Sequence, residues 1–196
     1  GHDWGGMVAW LLTMRRPELV ERLVVLNTPH PARFSRKLLA SPSQMGRSSY
    51  MLAFQLPRLP EWVFRARDYA LARRTFRFDP YRVDAFTDVD LARYVGAWEQ
   101  PGALTGGLNY YRAAARYGVQ ALARDSRPIE QPVLVIWGDR DRYLLPDLAE
   151  QDVALVPNAE VVHIPHASHW VQHDEPNIVN DLVLGFLDRV PKHTDR

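Results

Sequence analysis

Short runs of apolar, mainly β-branched residues recur along the chain, each bounded by turn residues. They cover residues 22–29 (RLVVLNTP), 132–138 (PVLVIWG) and 159–165 (AEVVHIP). A continuous apolar run of this length, as opposed to an alternating one, is typical of a strand buried on both faces of a parallel sheet. The pattern therefore predicts three buried parallel strands.

Helical patterns lie between and around these strands. Residues 5–16 (GGMVAWLLTMRR) are almost entirely apolar up to Arg15, which predicts a helix buried on most sides. Residues 146–157 and 175–190 predict two further helices, the second amphipathic with Pro176 in its first turn. Strands that alternate with helices predict an α/β fold with a parallel sheet.

The stretch from residue 31 to residue 127 breaks this alternation, because it contains no convincing strand. Its helical patterns lie at 41–55, 60–76, 88–100 and 105–117. Ser41 and Asp88 are candidate N-caps. An insert of this length is too long for an ordinary crossover. We therefore expect an α/β core formed by residues 1–30 and 128–196, and an all-helical lid (residues 31–127) over the carboxyl ends of the strands.

Composition narrows the range of partners. The 196 residues include 24 Lys or Arg and 23 Asp or Glu, for a formal net charge of +1. This balance gives no reason to expect nucleic acid or a membrane surface as a partner. The chain has no cysteine, which excludes disulfides and thiolate chemistry. No apolar run approaches the ~20 residues that cross a bilayer, and we expect a cytoplasmic protein.

The first six residues, GHDWGG, carry the strongest chemical signal. Gly1, Asp3 and Gly5 have the G-x-D-x-G spacing of a nucleophile elbow, a sharp strand-to-helix turn that exposes its central side chain. Gly6 follows directly, and we expect the glycines to be required because backbone approaches backbone there, leaving no room for Cβ atoms. Most elbows have Ser at the centre, whereas Asp3 predicts a carboxylate nucleophile.

A carboxylate nucleophile needs a base that activates water against the ester it forms, and that base needs an orienting acid. His169 follows the last predicted strand in ASHW, and Asp141 follows the preceding one in WGDRD. Asp139 in the same loop competes with Asp141 for the role of the acid. Asp3, Asp141 and His169 all follow strand ends, and their order along the chain is that of the α/β-hydrolases.

The chain resembles the epoxide hydrolases of the α/β-hydrolase superfamily from residue 1 to about residue 188. The resemblance lies in these motifs and in two further segments, SSYMLAFQLPRLPE and QPGALTGGLNYYR. The resemblance implies that Asp3 attacks an epoxide carbon and forms a covalent ester. It also implies that Tyr50 and Tyr111 in the lid donate hydrogen bonds to the epoxide oxygen. Phenols suit this task because a pKa of about 10 keeps them protonated at neutral pH.

The resemblance further implies a second step, in which His169, oriented by Asp141, activates water to hydrolyse the ester. The backbone N–H of Trp4 is the expected oxyanion donor in that step. The implied reaction converts an apolar epoxide and water into a vicinal diol, and needs neither a cofactor nor a metal. The remaining histidines have no metal-ligand spacing.

Members of that family extend further at the amino-terminal end, where the first strands and a loop with a second oxyanion donor lie. The resemblance therefore implies the carboxy-terminal part of an α/β-hydrolase fold, truncated at its amino terminus. We expect such a segment to be inactive in isolation, because removing one oxyanion donor costs roughly 10²–10³-fold in rate.

Two other functions fit parts of the pattern. A haloalkane dehalogenase shares the Asp, the His and a Trp after the nucleophile, but it holds the departing halide with indole or amide N–H donors and not with two phenols. A non-catalytic binding module derived from a hydrolase would close its lid over a ligand. Such a module has no need of the complete set Asp3, Asp141 and His169, so the sequence favours an epoxide hydrolase.

Overall fold

Three parallel strands form one sheet in the computed structural model, which describes residues 1–124 and 126–189, without the side chains of Val119 and Leu122. They are β1 (Leu23–Leu26), β2 (Val133–Gly138) and β3 (Ala159–Ile164). β2 lies between the other two, with Val135 paired to Val25 on one side and to Val161 on the other. The predicted α/β class and parallel strands are confirmed.

Helices surround this sheet. The first, α1 (Asp3–Arg15), leads into β1, and α9 (Val171–Asp174) and α10 (Pro176–Arg189) follow β3. The segment between β1 and β2 contains α2 (Pro31–Ala40), α3 (Pro42–Arg47), α4 (Tyr50–Ala53), α5 (Leu59–Phe78), α6 (Asp88–Trp98), α7 (Ala103–Tyr117) and α8 (Val119–Ala123).

The sheet separates two apolar clusters because successive side chains of a strand point to opposite faces. On one face, Val133, Val135 and Trp137 of β2 pack with Met7 and Trp10 of α1. On the other face, Leu134 and Ile136 pack with Val171, Val179 and Phe186 of the last two helices. Every residue of β2 is buried, as expected of a central parallel strand.

The helical segment between β1 and β2 has an apolar cluster of its own. Tyr69 and Ala72 of α5 meet Val95 of α6 and Leu104 and Leu108 of α7. This separate cluster is consistent with the proposed division into a core and a helical lid, which stays a prediction. Residues 125 and 190–196, which the proposed lid and core include, lie outside the described residues.

Several predicted helices differ from those observed. Residues 146–157 form only a short 3₁₀ helix (Pro146–Ala149) followed by turns. The helix does not continue, because the Asp152 carboxylate accepts the N–H of Ala154 at 3.0 Å and favours a turn. In α1, Met7, Trp10 and Met14 are buried, whereas Val8 and Leu12 are 49% and 43% exposed.

The helical segment also departs from the predicted boundaries. The predicted helix 41–55 is two short helices, α3 and α4. Residues 67–69 within α5 have left-handed backbone angles, so this helix is kinked. Ser41 caps α3 as predicted, since its hydroxyl accepts the N–H of Gln44 at 3.4 Å. Asp88 is not the cap of α6; Thr87 caps it in a capping box with Asp90.

Candidate active site

Asp3 lies at a sharp turn between an extended residue and α1. His2 is extended and bridges to Leu26 of β1 in parallel, and α1 begins at the next residue. Asp3 has a φ of 49°, in the left-handed region that is uncommon for residues other than glycine. Such strained backbone is concentrated at functional sites. The local geometry is that of a strand–turn–helix elbow with a carboxylate at its tip.

Two of the three glycines are required by close packing at this turn. A Cβ on Gly1 would lie 2.6 Å from the carbonyl oxygen of Gly5, and one on Gly6 would lie 2.3 Å from the Thr28 hydroxyl oxygen. That hydroxyl donates to the carbonyl of Asp3 at 3.0 Å. A Cβ on Gly5 would meet nothing within 4 Å. The expectation that every glycine excludes a Cβ is therefore wrong for Gly5.

His169 lies between two carboxylates. Its Nδ1 is 2.8 Å from Asp141 Oδ2, and its Nε2 is 3.6 Å from Asp3 Oδ1. Asp139, the competing acid, instead pairs with His163 at 2.5 Å on the surface. The structure thus brings together Asp3, His169 and Asp141, in the order in which a nucleophile, a base and an orienting acid are arranged in hydrolases.

Asp141 is fixed by four hydrogen bonds. Besides His169, Asn27 donates its side-chain amide to Oδ2 at 2.8 Å. The backbone N–H groups of Tyr143 and Leu144 donate to Oδ1 at 2.7 and 2.9 Å. Burial alone would raise the pKa of Asp141, but the charge of His169 and these hydrogen bonds hold the pKa below its ordinary value. Asp141 is therefore an ionised, immobile acceptor.

The pKa of His169 is shifted in the opposite direction. Burial lowers it, but the carboxylate of Asp141, and to a lesser degree that of Asp3, outweigh burial and raise the pKa to about 9. His2 contacts the same loop, because its Nε2–H donates to the carbonyl of His169 at 2.8 Å. Burial and the nearby His169 lower the pKa of His2 to about 4, so that this neighbour is neutral.

Two phenols from the helical segment face Asp3. The rings of Tyr50 and Tyr111 lie 5.8 Å apart, and Tyr111 also packs edge-on against Trp4 at 5.3 Å. Each phenol therefore has the other phenol, or the indole of Trp4, as an aromatic neighbour beside the Asp3 carboxylate. Burial and the Asp3 carboxylate raise the pKa of Tyr111 to about 12. Burial raises the pKa of Tyr50 even further, so both phenols stay protonated.

A cavity of about 440 Å³ opens onto these groups. Asp3, Tyr50, Tyr111 and His169 form its polar end. The remainder of its wall is mostly apolar and comes from the helical segment: Phe54, Phe64, Tyr69, Leu71, Ala72, Phe76, Trp98, Leu104 and Leu108. An apolar cavity with a few convergent polar groups is typical of a small-molecule site.

Sequence reasoning missed four residues of this site. Asn27 holds Asp141, and its φ of 41° suits Asn, which tolerates the left-handed region. Tyr143 is a third phenol in the cavity wall, with its ring 5.2 Å from that of His169. Asp79 and Trp170 are hydrogen-bonded to each other at 3.0 Å. Two of them adjoin predicted site residues, since Trp170 follows His169 and Tyr143 lies near Asp141; Asn27 and Asp79 carry no such signal.

Trp4 lies in the first turn of α1, where backbone N–H groups have no acceptor within the helix. Its proposed role as oxyanion donor is compatible with that position. In the described part of the chain, no group of three or more His, Cys, Asp or Glu side chains is arranged to hold a metal ion. Nor is any helix there both long enough and apolar enough to cross a membrane.

Comparisons with known proteins agree with this geometry. The family model of the alpha/beta hydrolase fold matches residues 1–176. The chain is 41% identical over 187 residues to the AB hydrolase superfamily protein YfhM of Bacillus subtilis, covering 95% of this chain and 64% of the relative. It is 36% identical over 200 residues to human epoxide hydrolase 4, covering 100% of this chain and 54% of that protein.

Solved structures give the same result. An epoxide hydrolase of Bacillus megaterium, crystallised with an inhibitor, superposes with a TM-score of 0.78 at 31% sequence identity, covering 96% of this chain and 68% of that protein. The chain thus spans between half and two thirds of the length of the curated relatives given above. The chain belongs to the α/β-hydrolase fold family, and within it to the group that contains the epoxide hydrolases of bacteria and animals.

Proposed function

We propose that the protein hydrolyses an epoxide to a vicinal diol through a covalent ester on Asp3. The observation that carries this proposal is the meeting of two half-buried, protonated phenols, Tyr50 and Tyr111, with the carboxylate of Asp3 at one end of an apolar cavity. A nucleophile facing two proton donors is suited to a substrate whose leaving group is a strongly basic oxygen that stays attached to the product.

In the first step, an oxygen of Asp3 attacks one epoxide carbon, and the bond from that carbon to the epoxide oxygen breaks. The electron pair of that bond goes to the oxygen, which takes up a proton through Tyr50 and Tyr111. Phenols whose pKa is raised by burial retain their proton until the oxygen becomes basic. General acid catalysis of this kind contributes about 10²–10⁴-fold to the rate.

In the second step, a water molecule attacks the carbonyl carbon of the ester on Asp3 and gives a proton to His169. Esterification removes the negative charge of Asp3, which is one of the causes that raise the pKa of His169. The histidine therefore becomes easier to deprotonate once the ester has formed, which suits a base that acts only in this step. Collapse of the tetrahedral intermediate breaks the bond to the ester oxygen, which leaves as the second hydroxyl of the diol with the proton held by His169. The remaining proton of the water passes to the phenols, so that the carboxylate, His169 and the phenol pair are all restored.

Release of halide from a haloalkane is the alternative that uses the same three groups. The Trp4 indole that would hold a departing halide packs edge-on against Tyr111, with the two rings 5.3 Å apart. A halide also needs no proton from a phenol. These two points favour the epoxide over the haloalkane.

The test compares the full-length protein with Tyr50→Phe, Tyr111→Phe and the double variant. Each substitution removes one donor but retains the ring. Each single variant should slow ring opening by about 10–10²-fold, since the second phenol remains, and the double variant should be nearly inactive. Rapid-quench, single-turnover assays with styrene oxide measure this step. Near-normal ring opening by the double variant, or halide release from 1-bromobutane by the wild-type protein, would contradict the proposal.

A further inference from the structure

We propose that Asp79 is a positioning residue for His169, and that it acts through the rings of Tyr143 and Trp170. The inference rests on the proposed function, because it concerns the step in which His169 activates water. Asp79 lies in the helical segment, directly after α5, far in sequence from the two loops that carry His169 and Asp141. Only 7% of its surface is exposed.

The carboxyl group of Asp79 has three partners, all from the core loops. Its Oδ2 accepts the indole N–H of Trp170 at 3.0 Å. Its charge also acts on the nearby Tyr143 hydroxyl, because the Asp79 carboxylate is, after burial, a cause that raises the pKa of this phenol. The guanidinium Nε of Arg142 lies 3.7 Å from Oδ1. Because Arg142 and Tyr143 follow Asp141, and Trp170 follows His169, Asp79 connects the loop of the acid to the loop of the base.

The two aromatic partners of Asp79 are also the rings beside His169. The ring of Tyr143 lies 5.2 Å from the imidazole at an angle of 74°, and that of Trp170 lies 5.3 Å away at 83°. Both contacts are edge-on, so each ring limits rotation of the imidazole. A buried carboxylate that holds the Trp170 ring at its indole N–H and acts on the Tyr143 hydroxyl keeps Nε2 of His169 directed at Asp3 in the cavity.

A second contact strengthens the same connection. The backbone N–H of Arg82 donates to Oδ1 of Asp174 at 2.9 Å, while Oδ2 of Asp174 accepts from the N–H and hydroxyl of Ser168 at 2.7 and 2.6 Å. Residues 79–82 therefore contact the loop that carries His169 at two points, Asp79 at Trp170 and Arg82 at Asp174. Asp79 also contacts the loop of Asp141, through the guanidinium of Arg142.

The charged and titratable groups that face His169 are those of Asp141, Asp3, Asp79, His2 and Tyr143. The carboxylate of Asp79 is among the causes that raise the pKa of His169. An amide at position 79 would remove this charge, so His169 would lose its proton at a lower pH. The shift reports the charge of Asp79 near His169, and a loss confined to ester hydrolysis reports its positioning role, so the two readouts together test the inference.

The experiment measures ring opening and ester hydrolysis separately, by rapid-quench single turnovers with styrene oxide from pH 5 to 10, in Asp79→Asn. Ester hydrolysis should slow by about 10–10²-fold, because the base is less well placed. The pH range over which the rate of ester hydrolysis rises, here called the pH limb, should move to lower pH. The rate of ring opening should change far less. Asp88→Asn, a matched control that removes an exposed carboxylate paired with Arg77 in the same segment, should leave both steps and the limb unchanged.

Tyr143→Phe, which retains the ring but removes the hydroxyl on which Asp79 acts, provides the second variant. It should slow ester hydrolysis more than ring opening, and it keeps the test valid if Asp79→Asn does not fold. An unchanged pH limb in Asp79→Asn, or an equal loss in both steps in either variant, overturns the inference. A wild-type protein that forms no ester overturns the proposed function and the inference with it, whereas variants that match an active wild type overturn the inference alone.

Discussion

His169 lies between two carboxylates that differ in their access to solvent. The side chain of Asp141 is fully buried, whereas that of Asp3 is 39% exposed. The buried carboxylate therefore orients the imidazole permanently, while the exposed one is open to substrate. This asymmetry separates an acid that only orients from a carboxylate that reacts, and burial is what distinguishes the two.

The raised pKa of His169 has a consequence for stability. Its pKa is about 9 in the folded protein, against 6.5 for an ordinary histidine. Between these values the folded state binds more protons than the unfolded state, so stability decreases as pH rises. The contribution is complete below pH 6.5 and lost as pH rises through about 9.

We therefore expect the urea midpoint of the wild-type protein to fall between pH 6.5 and 9, and His169→Gln to remove most of this fall. His166→Gln, at an exposed histidine, is the control and should keep the wild-type pH dependence. Parallel curves for wild type and His169→Gln would show that His169 does not titrate with a raised pKa.

At the scale of secondary-structure elements, the site depends on close approaches at the ends of the strands. A Cβ on Gly138, at the end of β2, would lie 2.1 Å from the carbonyl oxygen of Ser168. The β2 terminus and the histidine loop thus touch through their backbones. A second close approach lies in the first turns of α1, where Gly6 packs directly on the side chain of Thr28.

This packing distinguishes two adjacent glycines. Gly6→Ala should lower stability by about 1–3 kcal/mol, because the new methyl group displaces Thr28. Gly5→Ala should be neutral or stabilising by about 0.5–1 kcal/mol, because the site is open and alanine favours a helix. Urea denaturation of both variants measures the difference, and equal midpoints would show that α1 and Thr28 do not pack as described.

At the scale of the whole molecule, local patterns predicted the sheet better than the helices. The strands could be predicted because β-branched runs such as residues 133–138 are buried whatever surrounds them. The helix predicted at 146–157 was wrong, since the side chain of Asp152 competes for the backbone. The kink in α5 could not be predicted, because its left-handed residues, Arg67, Asp68 and Tyr69, include neither glycine nor proline.

The candidate site likewise contains residues that the sequence predicts and residues that it does not. The elbow, the acid and the histidine could be predicted because each stands beside a recognisable strand end, and the two lid tyrosines came from the family resemblance. Asn27 and Asp79 could not, because their importance arises only when β1 and the helical segment meet the catalytic loops. Contacts between segments far apart in sequence leave no periodic pattern to detect.

The central claim is that Asp3 forms an ester that His169 is needed to hydrolyse. Its most direct test is mass spectrometry of the full-length His169→Gln protein after incubation with styrene oxide. The peptide that ends at Arg15 should gain the mass of one substrate molecule on Asp3, and an Asp3→Asn substitution in the same protein should abolish the gain. An unmodified Asp3 peptide, in a protein whose wild-type form produces diol, would contradict the account.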